Sequence, residues 1–180
     1  DVSTPQNAKK IKSLSQSGIY KTSRFTNGYL YTFSSHLIMG ECKNEKEISK
    51  YIPSVNGKTM KENKIQKIVD APVNSYVVMT SVNLAKPDDF SDTAAVLSDY
   101  TTYYMSTSHL YLANTIYEQF LWNSSTKTAI SKFEYKDGAF SYQTTKKVKG
   151  QINDSYYMHE YKGNFAFVYT DWRNEISTNG

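Results

Sequence analysis

Asn27-Gly28-Tyr29-Leu30-Tyr31-Thr32-Phe33, NGYLYTF, is a turn dipeptide that opens directly into an aromatic-rich run. The same phrase returns as TSHLYLA at 107–113 and as KGNFAFVY at 162–169. Ahead of each copy lies a second run of β-forming residues: IYKTSRF at 19–25, TTYYMS at 101–106 and YYMHEY at 156–161. Two such runs joined by a short polar turn predict a β-hairpin, so the chain announces three hairpins of one kind.

Between these hairpins lie two further pairs of strand-like runs. SYVVMTSVNL at 75–84 pairs naturally with DTAAVL at 92–97, and TAISKFEY at 128–135 with AFSYQTT at 139–145. The second pair is joined across Lys136, Asp137 and Gly138, and Asp-Gly supplies the positive φ of a tight hairpin turn. With Leu30, Leu110 and Phe165 as equivalent positions, the intervals are 80 and 55 residues; removing the 41 polar, lysine-rich residues at 35–75 shortens the first to 39. These lengths bracket the roughly 40–50 residues of one four-stranded propeller blade. The pattern predicts an all-β chain, a partial β-propeller of about two and a half four-stranded antiparallel blades, with a helical or irregular insertion at 35–75. The half blade falls at 156–170, and 9–16 is read as a leading strand. Propellers close with about four blades or more, so 1–180 is expected to be a single propeller fragment, completed by a longer chain or by another copy.

Composition agrees. Sixteen Tyr and eight Phe in 180 residues suit pleated, half-buried surfaces better than helices. The net charge of +4 comes from lysines scattered through 43–67 and 146–149, without the basic stripe interleaved with aromatics that a nucleic-acid partner needs. Lys146, Lys147 and Lys149 read instead as an outer strand whose charges block unwanted strand pairing. A lone Cys42 excludes an internal disulfide, and His36, His109 and His159 lack metal-ligand spacing, so no metal or cofactor is expected. No run reaches the ~20 apolar residues of a membrane span, and membrane attachment is expected only through an anchor outside this chain.

The stretch 35–75 breaks the β rhythm. Within it 44–51, NEKEISKY, has the makings of a short helix, with Asn44 as N-cap, Glu45 and Glu47 in the first turn and Pro53 as the stop. Gly57 and Pro72 mark turns around the lysine-rich remainder.

Taken in order, SGIYKTSR at 17–24, NGYLYTF at 27–33, SYVVMTSVNL at 75–84, TTYYMSTSHLYLAN at 101–114, ISKFEYKDGAFSY at 130–142, VKGQIND at 148–154 and MHEYKGNFAFVYT at 158–170 resemble the secreted β-propeller domain family of bacteria and archaea, typified by methanogen secretory proteins. The likeness covers most of 17–170 apart from the insertion. It departs from the family pattern at His159, where that pattern has Asp, and at Ala166, where it has Arg. Arg24 keeps its Thr-Ser-Arg setting and is expected to pair with Glu160 and hold neighbouring blades together, a packing role shared with Leu30, Leu110 and Phe165. The resemblance implies a secreted or cell-surface location and no particular reaction.

Three functions compete on these residues. The first is a non-catalytic extracellular binding or scaffold module that offers a propeller rim and inserted loop to a glycan or protein, with tyrosine rings as contacts. The second is a carbohydrate-active hydrolase working with two carboxylates drawn from Asp88, Asp89, Asp92, Asp99, Glu160 and Asp171, although none sits in a diagnostic motif. The third is a self-assembly module that pairs open blade faces between identical chains.

Overall fold

A computed structural model describes residues 3–40, 47, 50–68, 73–99, 101–120 and 123–171, without the side chains of 101, 118–120, 123 and 124. The chain divides into two compact units, Asp1–Asp99 with Tyr135–Ser141, and Tyr100–Glu134 with Tyr142–Gly180. Among the described residues every element of regular structure longer than three residues is a strand.

The first unit is built on strands β1 (Ile19–Thr26) and β2 (Tyr29–Leu37), the short hairpin β3 (Ser54–Val55) and β4 (Lys58–Thr59), and strands β5 (Ile65–Lys67), β6 (Ser75–Asn83) and β7 (Asp92–Leu97). Its sheet runs β1-β2-β6-β7-β5. The first four strands form the antiparallel meander expected of a blade. The fifth, β5, comes from the insertion and lies parallel to β7, which sequence spacing did not foretell. Strand pairing also reaches into both ends of the expected insertion, because Ser35 pairs with Ile19 and Val77, and Leu37 with Ser75. The inserted segment proper is therefore 38–74.

Consecutive residues of a strand point to opposite faces. In β6, Val77, Val78 and Met79 are all at most 1% exposed, so both faces of this sheet are covered. On the face of Tyr76, Val78 and Thr80, the insertion lays down Met60, Val55 and Ile65 against Val78 and Ala95. Gln16 joins them there, donating to the Ser34 hydroxyl at 2.8 Å and accepting from Thr80. The expected leading strand at 9–16 reduces to a single bridge from Gln16 to Val55.

On the other face, Tyr31 and Phe33 meet the tip of the hairpin at Tyr135–Ser141. Tyr31 lies 4.8 Å from Tyr135 and 5.6 Å from Phe140, centroid to centroid, and Phe33 lies 6.2 Å from Phe140. Side chains of this size each contribute about 1.5–3 kcal/mol when fully buried, so the aromatic group dominates the cohesion of this face.

The second unit contains β8 (Thr101–Met105), β9 (His109–Phe120), β10 (Asn123–Lys136), β11 (Ala139–Lys149), β12 (Met158–Tyr161) and β13 (Asn164–Phe167). The tip of the β10–β11 hairpin belongs to the first unit. Its four-stranded sheet has the order β11-β10-β9-β8, again a meander, and β12 and β13 form a separate two-stranded hairpin. That hairpin lies on one face of the sheet, with Met158, Phe165 and Phe167 against Tyr111, Ala113 and Ile130. The contact centres on Tyr111 and Phe165, stacked 3.9 Å apart and 6° from parallel. Strand β11 is the edge, and Lys146, Lys147 and Lys149 are exposed along it as expected.

All three repeated phrases are hairpins, and the expected pairs at 75–84 with 92–97 and 128–135 with 139–145 complete two four-stranded meanders. The helix expected at 44–51 falls largely outside the described residues, as do Cys42 and Pro72.

Four of the hairpin turns use positive φ at both central residues: Asn27 and Gly28, Asn56 and Gly57, Asp137 and Gly138, Lys162 and Gly163. Gly138 has a second constraint. A Cβ there would come within 2.6 Å of the Tyr29 ring, while its N–H donates to the Tyr31 hydroxyl at 3.1 Å and its carbonyl accepts from Ser81. A Cβ on Gly28 would meet nothing within 4 Å. Gly138→Ala is therefore expected to destabilise the protein by about 2 kcal/mol or more, and Gly28→Ala by only about 1 kcal/mol. Thermal melts of the two variants side by side check the difference.

Candidate functional site

A polar cluster in the second unit gathers where the β8–β9 turn meets β12. Ser106 shapes the turn: its N–H donates to the His109 carbonyl at 2.9 Å, and its hydroxyl accepts from the His109 N–H at 3.0 Å and from the Ser108 N–H at 3.3 Å. This replaces the glycine found in the other repeated turns with a side-chain hydrogen bond. The turn aims His109 at Glu160, whose side chain is 7% exposed.

Glu160 points inward because it alternates with His159 and Tyr161 along β12 and shares its face with Met158. Its carboxylate lies 3.0 Å and 3.2 Å, through its two oxygens, from Nδ1 of His109. Its backbone N–H donates to the Tyr104 hydroxyl at 2.8 Å. Burial pushes the Glu160 carboxyl upward, but the Ser106 and Tyr111 hydroxyls and His109 beside it together outweigh it and hold the group below the ordinary glutamate value.

Tyr111 is pushed the other way. Its buried hydroxyl closes no hydrogen bond of ordinary geometry, and burial, followed by the neighbouring Glu160 charge, raises its pKa well above that of a free tyrosine. Its ring takes Phe165 as a stacking partner and has the Lys132 ammonium 5.6 Å from its centroid.

The chemistry of this cluster is that of a fastener. Ser108 Oγ, at 3.1 Å, and the Glu160 carboxylate meet the same nitrogen, Nδ1 of His109. A hydroxyl–imidazole–carboxylate relay needs them on opposite nitrogens. In the first unit three of the four candidate acids are likewise engaged, and Asp88 is exposed. Asp92 accepts from Lys64 at 2.7 Å, from the Thr93 N–H at 2.8 Å and from the Phe140 N–H at 2.9 Å. Asp89 accepts from Asn56 at 2.9 Å, and Asp99 from the Asn74 N–H at 2.6 Å. Among the described residues no three His, Cys, Asp or Glu side chains gather as a metal site.

The residues singled out for packing occupy corresponding places. Leu30, Leu110 and Phe165 are each the second residue of their strand, opposite Phe25, Met105 and Glu160. Leu110 is fully buried, Phe165 stacks on Tyr111 and Leu30 is half-buried. Arg24 is exposed on β1, opposite Tyr31, and the carboxylate expected for it, on Glu160, is bonded to His109. His109, Ser106, Tyr104 and Tyr111 escaped the sequence reading as a group. The available signal was the position of His109 immediately before the repeated Leu110.

Because the native Glu160 pKa is depressed, the stability it provides is present above the ordinary carboxylate range and is lost as pH falls through the lower native value. Glu160→Gln is expected to cost about 1–3 kcal/mol at neutral pH and to flatten the acid limb of stability below about pH 4. Denaturant melts of both proteins across that range check the sign.

No curated protein matches the chain. Its two antiparallel meanders and its face-packed hairpin agree with the family model described as "Beta propeller domain", which matches residues 1–180, and the chain belongs to that family.

Proposed function

We propose that this chain is a non-catalytic, extracellular binding or scaffold module that presents a glycan- or protein-binding surface from a rigid propeller framework. Membership of a propeller family supports the coarser part of this reading, a binding or scaffold role. Fold alone does not specify a ligand, so the finer part rests on the surface of the second unit.

The observation that carries it is a set of tyrosines displayed around the β12–β13 hairpin. Tyr156 is 92% exposed, Tyr161 63%, Tyr169 46% and Tyr157 45%. Tyrosine rings supply rigid contact area at low entropic cost and stack on sugars or on protein side chains. The scaffold beneath them is held by the Tyr111–Phe165 stack and the Glu160–His109 bond. The engagement of Asp89, Asp92, Asp99 and Glu160 by structural partners also favours binding over hydrolysis. Location outside the cell is inferred from the resemblance to secreted propeller domains. Further blades, from a longer chain or a second copy, are the structural partners this reading expects.

A panel of glycans, cell-wall polymers and surface proteins tests the proposal. Saturable binding is expected, weakened at least about fivefold by Tyr156→Ala together with Tyr161→Ala at unchanged melting temperature, since both rings are mostly exposed. Turnover of any glycan in the panel, or binding indifferent to the tyrosine substitutions, would contradict it.

A further inference from the structure

We infer that the insertion between β2 and β6 stands in for a preceding blade, closing a face of the first sheet that would otherwise take another sheet. In the repeated phrase Leu30 corresponds to Phe165, and Tyr31 to Tyr111 as the next residue after Leu110. In the second unit the direction of packing is explicit. The Tyr111 face of the four-stranded sheet receives the hairpin that follows it in the chain, and Phe165 is the residue that reaches back onto Tyr111.

The first unit obeys the same rule on its Tyr31 face. That face receives Tyr135 and Phe140, which also follow it in the chain. By the same rule the opposite face, carrying Leu30, Thr32 and Ser34 and the cross-strand residues Val82, Thr80 and Val78, is the one that reaches back toward a preceding sheet. Here the occupant is the insertion. Met60, Val55 and Ile65 pack against Val78, Ala95 and Tyr76, and Gln16 bonds both Ser34 and Thr80.

Several fasteners hold the cover in place. Strand β5 adds to β7, Lys64 pairs with Asp92 at 2.7 Å and Asn56 donates to Asp89 at 2.9 Å. On the β1 side of the same face, Phe25 stays 61% exposed and Tyr20 63% exposed. The cover thus lies over β6 and β7. Any blade joining this face must first displace it.

Two variants test the inference. In one, residues 39–73 are replaced by Asn-Gly, joining Ile38 to Asn74, whose backbones already bond at 2.7 Å. In the other the chain is complete and carries Met60→Lys, which places a charge beneath the cover. Light scattering at matched concentration is expected to give about twice the parent's mass for each, as the opened face takes a second copy. Hydrogen exchange in β6 and β7 of the Met60→Lys protein should quicken about tenfold while β12 and β13 keep the parent's protection. Should the deletion variant fail to fold, the full-length variant decides alone. Unchanged exchange in β6 and β7, or faster exchange with no gain in mass, overturns the inference.

Discussion

A sheet whose interior strands are apolar on both faces must be covered on both, and this constraint organises the chain. In β6 the run Val77, Val78 and Met79 leaves no face that can be turned to water. Alternation places Val78 under Met60 and the insertion, and it places Val77 and Met79 on the side of the Tyr31 and Phe33 rings. The second unit meets the same demand on its Tyr111 face with a hairpin rather than a full sheet. Blades are units that cannot hide their own surfaces, so each needs a neighbour or a substitute for one.

Polar groups fasten what the apolar faces bring together. Asp92 gathers a lysine from the insertion and a backbone N–H from the β10–β11 tip, and so ties both covers of the first sheet to one residue. Glu160 and His109 do the same for the hairpin of the second unit. A buried carboxylate with several donors is costly to strip of any one of them, because the remaining charge is left in a poorly solvated place.

Much of the architecture was legible from local signals. Asn27 with Gly28 and Asp137 with Gly138 specify tight turns through backbone sterics alone, and the flanking aromatic runs then fix the strands on either side. The Leu30, Leu110 and Phe165 equivalence survives as a common strand position. What escaped depends on distant contacts. The three residues of β5 carry too little pattern to announce a parallel pairing with Ala95 to Leu97, and Gln16 forms a bridge where a strand was expected because its partner strand β3 is only two residues long. Arg24 and Glu160 are complementary in charge, but charge does not reveal direction; alternation turns Glu160 inward to His109, a partner 51 residues away in sequence.

Native-state hydrogen exchange across the first sheet tests the two-sided cover most directly. If both faces of β6 are sealed, its amides from Tyr76 to Ser81 exchange about a hundredfold more slowly than those of the exposed edge strand β1, through the slow openings that govern a core strand. Exchange in β6 as fast as in β1 would mean that one face stands open to water, and the account would fail.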